Sequence, residues 1–303
     1  MSTSDDQITT SGEQTAPVGP ITLCYETFGS PRAAPLLLVM GLGSQMLLWD
    51  DAFCERLAAH DFFVIRFDNR DIGRSTIFRD SPVPKQWQLV TRDRRSAAYS
   101  LDEMAADAVG LLDHLNIGAA HIVGVSMGGM IAQLMAINHP ERVRTLVSIM
   151  STTGARRVGR AQPRIALRML RRPRLDREGY IEDHLETYRT IGSKTFDLDE
   201  EHKRTRAARM FERGIHPAGS ARQLAAIMTA RDRTSALREL RVPATVIHGE
   251  ADPLIDVSGG RATARAIPGA ELVTIPDMGH DLPRAVWPQV IDAIVATAAK
   301  GDG

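Results

Sequence analysis

Two cysteines in 303 residues, Cys24 and Cys54, exclude a disulfide scaffold. One falls in an expected strand and the other in an expected helix, so both read as reduced thiols in a cytoplasmic protein. No Cys/His/Asp spacing suits a metal, and the glycines at 41 and 43 lack the G-x-G-x-x-G pattern of a phosphate-cradling loop. Neither metal nor cofactor is therefore expected. No apolar run approaches the length that spans a bilayer. Residues 1–19 are rich in Ser, Thr, Asp, Gln and Gly and carry no apolar h-region, so they read as a flexible tail and not a signal peptide. Charge of one sign is missing too: 37 basic and 37 acidic residues cancel, which argues against a dedicated nucleic-acid partner. Lysine is scarce, four against thirty-three arginines, so arginine-rich stretches carry less meaning than usual. Residues 156–178, with nine arginines and two acids, accordingly read as a solvated helical face.

What is present is an α/β rhythm. Residues 21–28 alternate as a strand, while 35–40 and 62–67 are short continuous apolar runs of the kind buried on both faces of a sheet. A helix is expected over 49–59, and Ser100-Leu-Asp-Glu103 is a capping-box signature opening another that ends near Leu115. Strands before residue 126 and over 143–150, 244–248 and 271–275 follow, with helices after the elbow to about 138, around 260–266 and from about 284. Residues 72–99 are polar and broken by Pro82 and Pro84, an excursion from the rhythm. Residues 151–233 show helical periodicity and no convincing strand. The expected architecture is α/β: a mostly parallel sheet flanked by helices, built from 20–150 and 234–303, with a helical cap inserted at 151–233.

One run inside that frame carries chemistry. Gly124-Val-Ser126-Met-Gly128 follows a β-branched stretch and opens an apolar helix, the strand-to-helix elbow that lifts a serine Oγ above a sheet. A serine hydroxyl needs a base beside it, and the base needs an orienting acid. Strand 244–248 runs into Gly249-Glu-Ala-Asp252-Pro253, and strand 271–275 into Pro276-Asp-Met-Gly279-His280. Both side chains thus fall in loops at the sheet edge that carries Ser126. Glu250, Asp256 and Asp277 compete with Asp252, but only Asp252 has the post-strand Asp-Pro context. His139, at a helix end, and His248, inside a strand, read as structural. The oxyanion donors expected are the backbone N–H groups of Met127 and Leu42, whose side chains are then free to vary. Met46, Trp49, Met127 and Met278 flank these loops and suggest an apolar pocket. Asp68, Arg70 and Asp71 read as a charge-paired loop brace.

These residues resemble the α/β-hydrolase-fold serine esterases, and more narrowly aclacinomycin methylesterase and related actinobacterial lipase/esterase proteins. The matching runs are Leu36-Leu-Leu-Val-Met-Gly-Leu-Gly43, Val64-Ile-Arg-Phe-Asp-Asn-Arg-Asp-Ile-Gly-Arg-Ser75, Gly124–Gly129 and Met278-Gly-His280. Many relatives carry His-Gly where this chain has Met40-Gly41, which argues against the His-Gly-Gly-Gly lipase subclass. The expected function is a carboxylic-ester hydrolase using Ser126, His280 and Asp252 through an acyl-enzyme, acting on a small apolar ester. A C–C bond hydrolase of ring-cleavage products or a cofactor-free perhydrolase would keep the same triad. A catalytically idle ligand-binding module would leave the serine unactivated.

Overall fold

The computed structural model describes residues 10–168 and 173–301. Eight strands form one sheet: β1 (Gln14–Val18), β2 (Ile21–Phe28), β3 (Ala34–Val39), β4 (Phe62–Phe67), β5 (Ala120–Val125), β6 (Val143–Ile149), β7 (Ala244–Gly249) and β8 (Glu271–Ile275). Their order is β1-β2-β4-β3-β5-β6-β7-β8; β2 pairs antiparallel with β1 and β4, and every later pairing is parallel.

The apolar runs are strands because both faces are covered. On one face Leu37, Ile65, Ile122 and Leu146 pack against α3 (Leu101–His114) and α4 (Met127–Asn138). On the other, Leu36, Val64, Val123 and Val147 meet α1 (Asp51–Ala58) and, after the last strand, the terminal helix Trp287–Ala299. Successive residues alternate between the two clusters, as the pleat dictates. The capping box is present: Glu103 N–H donates to Ser100 Oγ at 3.2 Å and Ser100 N–H to Glu103 Oε2 at 2.8 Å.

The expectation of a flexible tail through residue 19 is corrected by β1. Gln14–Val18 pairs with Ile21–Tyr25, and Ala16 and Val18 turn inward while Pro17 sits on the unpaired side that an edge strand leaves free. Residues 1–9 of that tail lie outside the described residues. Between β4 and α3 the polar excursion contains a short α-helix, α2 (Gln86–Thr91), and a 3-10 turn at Arg94–Ser96. Between β6 and β7 the chain leaves the sheet for α5 (Pro163–Arg168), α6 (Arg177–Ile191), α7 (Glu200–Arg213) and α8 (Pro217–Thr229), with no strand among the described residues there. Two more helices, α9 (Thr234–Leu237) and α10 (Ser258–Ala266), precede the terminal one, α11. No described helix is long and apolar enough to cross a membrane.

Parallel strands bring their carboxyl ends to one edge, where open α/β sheets bind ligands. The loops after β3, β4, β5, β7 and β8 carry Leu42, Asp68, Ser126, Asp252 and His280 to that edge.

Candidate active site

Ser126 stands between β5 and α4 with φ 57° and ψ −118°, a conformation that costs a non-glycine residue about 1–3 kcal/mol. Its surroundings hold it there: Ser126 N–H donates to Ile149 O at 2.9 Å, and Ser151 Oγ–H donates to Ser126 O at 2.7 Å. The flanking glycines are dictated by close approach. A Cβ on Gly124 would lie 2.1 Å from Gly128 O, and one on Gly128 the same distance from Val39 O. The elbow therefore wedges α4 against both β5 and β3.

His280 stands opposite. Its Nε2 lies 3.0 Å from Ser126 Oγ and its Nδ1 2.7 Å from Asp252 Oδ2. Both contacts are satisfied when Nδ1 carries the proton, so that Nδ1–H donates to the carboxylate and Nε2 accepts from the serine hydroxyl. Asp252 is itself locked: its Oδ1 accepts the N–H groups of Leu254 (2.8 Å) and Ile255 (2.9 Å), inside the turn that Pro253 helps to form. The structure thus brings together three side chains separated by up to 154 residues. Glu250 and Asp277 take no part in this contact, and Asp256 instead caps Ser258 N–H at 3.0 Å.

Histidine 248 sits immediately behind the acid. It donates from Nε2 to Ile255 O at 2.8 Å, steadying the turn whose amides hold Asp252. Burial drives its imidazole below the ordinary value, which keeps it neutral there. His139 closes the end of α4.

The loop carrying Leu42 runs against the serine: a Cβ on Gly41 would stand 3.2 Å from Ser126 Cβ. Among the described residues neither Leu42 N–H nor Met127 N–H donates to a protein acceptor. Met127 N–H is the first amide of α4, where the helix dipole favours negative charge.

Sequence reasoning missed the side chain that fixes this loop. Gln223 of α8 is fully buried; Gly43 N–H donates to its Oε1 at 2.8 Å, and its Nε2 donates to Arg70 O at the same distance. One amide thereby ties the 41–44 loop to the loop after β4. Its only sequence signal is a lone glutamine on the face of α8 shared with Gly219 and Ala226. Gly219 lets that face close in, since a Cβ there would meet Asp71 O at 2.1 Å. The end of α6 braces the histidine in the same way. His280 N–H donates to Ile191 O at 2.8 Å, and Gly279 N–H to Ser193 Oγ at 2.9 Å.

Asp68, Arg70 and Asp71 form the expected brace. Asp68 accepts Met46 N–H and Arg213; Arg70 pairs with Asp107; Asp71 takes a two-pronged bond from Arg222 (2.7 and 2.8 Å) and the hydroxyl of Tyr99 (2.7 Å).

A cavity of about 1310 Å³ opens beside Ser126 and His280, with Leu42, Trp49, Met127, Met130, Ile165 and Leu282 in its wall. Trp49, expected in the pocket, does line it, backed by Phe53 in a stack at 5.8 Å. Met46 and Met278 are corrections. Met46 is fully buried against Ile181, Leu185 and Met210 of the inserted helices, and Met278 belongs to the core cluster beneath α11. A loop residue's neighbours in sequence do not set which way its side chain turns, and both turn inward. Among the described residues no group of His, Cys, Asp and Glu could hold a metal ion.

A family model described as alpha/beta hydrolase fold matches residues 34–283. Rhodomycin D methylesterase DnrP of Streptomyces peucetius is 32% identical over 299 residues, covering 91% of this chain and 94% of that protein. 3-Oxoadipate enol-lactonase 2 of Acinetobacter baylyi is 28% identical, covering 80% of each. Among solved structures, a thermophilic esterase from Thermogutta terrifontis superposes with a TM-score of 0.72 at 25% identity, covering 97% of this chain and 100% of that one.

Proposed function

Because the chain belongs to the α/β-hydrolase family, we propose that it is a serine hydrolase that cleaves carboxylic esters through an acyl-enzyme. The observation that carries this reading is the unbroken contact from Ser126 Oγ to His280 Nε2 and from His280 Nδ1 to Asp252. Ser126 attacks the ester carbonyl while His280 takes its proton, and Asp252 stabilises the imidazolium that forms. The N–H groups of Leu42 and Met127 hold the oxyanion, each such donor being worth about 10²–10³ in rate. His280 then protonates the leaving alcohol, and water repeats the sequence on the acyl-enzyme. The helical insertion acts as a cap whose inner wall shapes the cavity.

The methylesterase name of the DnrP relative supports a methyl ester as the substrate, and the cavity leaves room for a molecule bulkier than the small apolar ester expected from sequence. Cavities for drug-sized ligands run to about 1,000 Å³, less than this one offers. A cytoplasmic setting belongs to the same proposal, supported by two cysteines that remain free thiols.

Ser126→Ala is expected to abolish hydrolysis of p-nitrophenyl butyrate, with a loss of up to about 10⁶-fold, and to abolish labelling by a fluorophosphonate. Activity or labelling retained in that variant refutes the nucleophile. Assaying ring-cleavage diketones and peracid formation beside the esters separates the C–C hydrolase and perhydrolase readings, which share the triad.

A further inference from the structure

The arginines outside the core differ in how they are answered, and several scattered over the surface, among them Arg32, Arg79, Arg238 and Arg261, have no ion pair among the described residues. On and beside α6 and α7 they are answered by acids: Arg174 by Asp183, Arg189 by Glu182 and Glu200, Arg204 by Glu178, Arg209 by Asp51. In two other stretches they are not. Lys85, Arg92, Arg94 and Arg95 flank α2, while Arg156, Arg157, Arg160 and Arg164 lead into α5. All eight are exposed, and none has an ion pair among the described residues. The single acid in the two stretches, Asp93, is committed to capping Arg95 N–H.

The same two stretches carry most of the large exposed apolar side chains of the described residues: Val83 (50%), Trp87 (58%), Val90 (71%) and Leu167 (71%). They also form the rim of the cavity. Val90, Arg92, Arg156 and Arg160 line it and are exposed at once, which only a residue at the mouth can be.

We propose that this rim docks on an anionic lipid bilayer, with Trp87, Val90 and Leu167 entering the headgroup region and the cavity mouth facing the membrane. The charge is complementary: the two stretches hold out eight unpaired cations, Arg92, Arg156 and Arg160 of them at the opening itself, in a molecule whose net charge is zero. Single apolar residues on two short helices, with arginines in the segments beside them, match a headgroup layer, where indole rings and guanidinium groups sit with apolar stems below them. An acidic protein surface would answer the cations while leaving the apolar side chains without a place.

Vesicle flotation tests this on the full chain carrying Ser126→Ala, so the outcome does not depend on the esterase reading. Vesicles of equal phosphatidylglycerol and phosphatidylcholine are expected to bind at least about tenfold more protein than phosphatidylcholine alone, and less as salt rises. Trp49 and Trp287 are 1% and 4% exposed, so a blue shift of emission on binding reports Trp87. The pair Arg94→Glu/Arg157→Glu is expected to weaken binding by about tenfold or more, at about one kcal/mol per neutralised cation. Trp87→Ser/Leu167→Ser should remove the blue shift and weaken flotation. None of these four residues lines the cavity, so in a chain retaining Ser126 both pairs should keep turnover of a dissolved short ester, which also certifies their folding. No flotation, equal binding to neutral vesicles, or binding to polyglutamate but not to vesicles overturns the proposal. The wild-type fluorescence alone decides if the variants do not fold.

Discussion

The floor of the cavity and its rim are built by opposite means. On the floor every loop is tied by buried polar bonds: Gln223 to Gly43 and Arg70, Arg222 to Asp71, Ile191 to His280, two amides to Asp252. At the rim, α2 and α5 are six residues each; Leu89 and Ile165 anchor them inward, while Trp87, Val90, Arg164 and Leu167 face solvent. The difference teaches where this molecule can change shape. Helix α8 cannot lift without breaking the bonds that hold the loop of Leu42, whereas α2 and α5 are short and stand partly in solvent.

The largest effect expected on the floor is on stability. Burial alone would raise the Asp71 carboxyl, but the Arg222 guanidinium, the Phe78 amide and the Tyr99 hydroxyl outweigh it and hold it below the usual carboxylate range. A carboxyl depressed in the folded state adds stability that is present above the ordinary pKa and is lost as pH falls through the folded value. Asp71→Asn leaves Arg222 buried without its charge partner, and should cost about 3–5 kcal/mol at pH 7. The gap to the parent in urea unfolding should narrow below about pH 4. A gap independent of pH would mean that the ion pair does not brace the floor.

How much of this was legible follows the same division. The elbow at Ser126 is local sterics, two glycines at fixed offsets, and can be read from five residues. Asp252 and His280 are legible because strand ends place them and chain order sorts them. Gln223 is not, because its partner Gly43 is 180 residues away and no local pattern records such a contact. The inward turn of Met46 was invisible for the same reason, since its neighbours come from α6 and α7. β1 was hidden by composition: an edge strand keeps polar residues on its open side, and only Ala16 and Val18 mark the buried one.

A smaller effect sharpens the link between cap and chemistry. Gln223→Leu keeps volume and removes both bonds from the loop of Leu42. If that loop positions an oxyanion donor, kcat should fall about 10–100-fold with KM within about twofold, because misplacing a group near the chemistry costs up to about 10². Gln223→Glu retains the acceptor for Gly43 N–H and should recover part of the loss. Affinity for a trifluoromethyl ketone, which forms an oxyanion on the serine, should fall in parallel with kcat. A packing defect alone would move Tm and leave the kcat-to-KM split and the ketone affinity untouched.

The rim should respond least of all to the same kind of insult. Val90 is 71% exposed on a six-residue helix and makes no polar bond through its side chain. Val90→Ala removes little buried area, so stability should stay within about 0.5 kcal/mol of the parent, as for surface sites generally. Yet Val90 also lines the cavity mouth, so the variant should alter selectivity among esters of differing bulk more than it alters turnover of the smallest. Measuring kcat/KM across such a series, beside urea unfolding, checks both halves. A stability loss above about 1.5 kcal/mol would place α2 among the braced elements, since only a buried, well-packed side chain costs that much on truncation, and the contrast between floor and rim would fail.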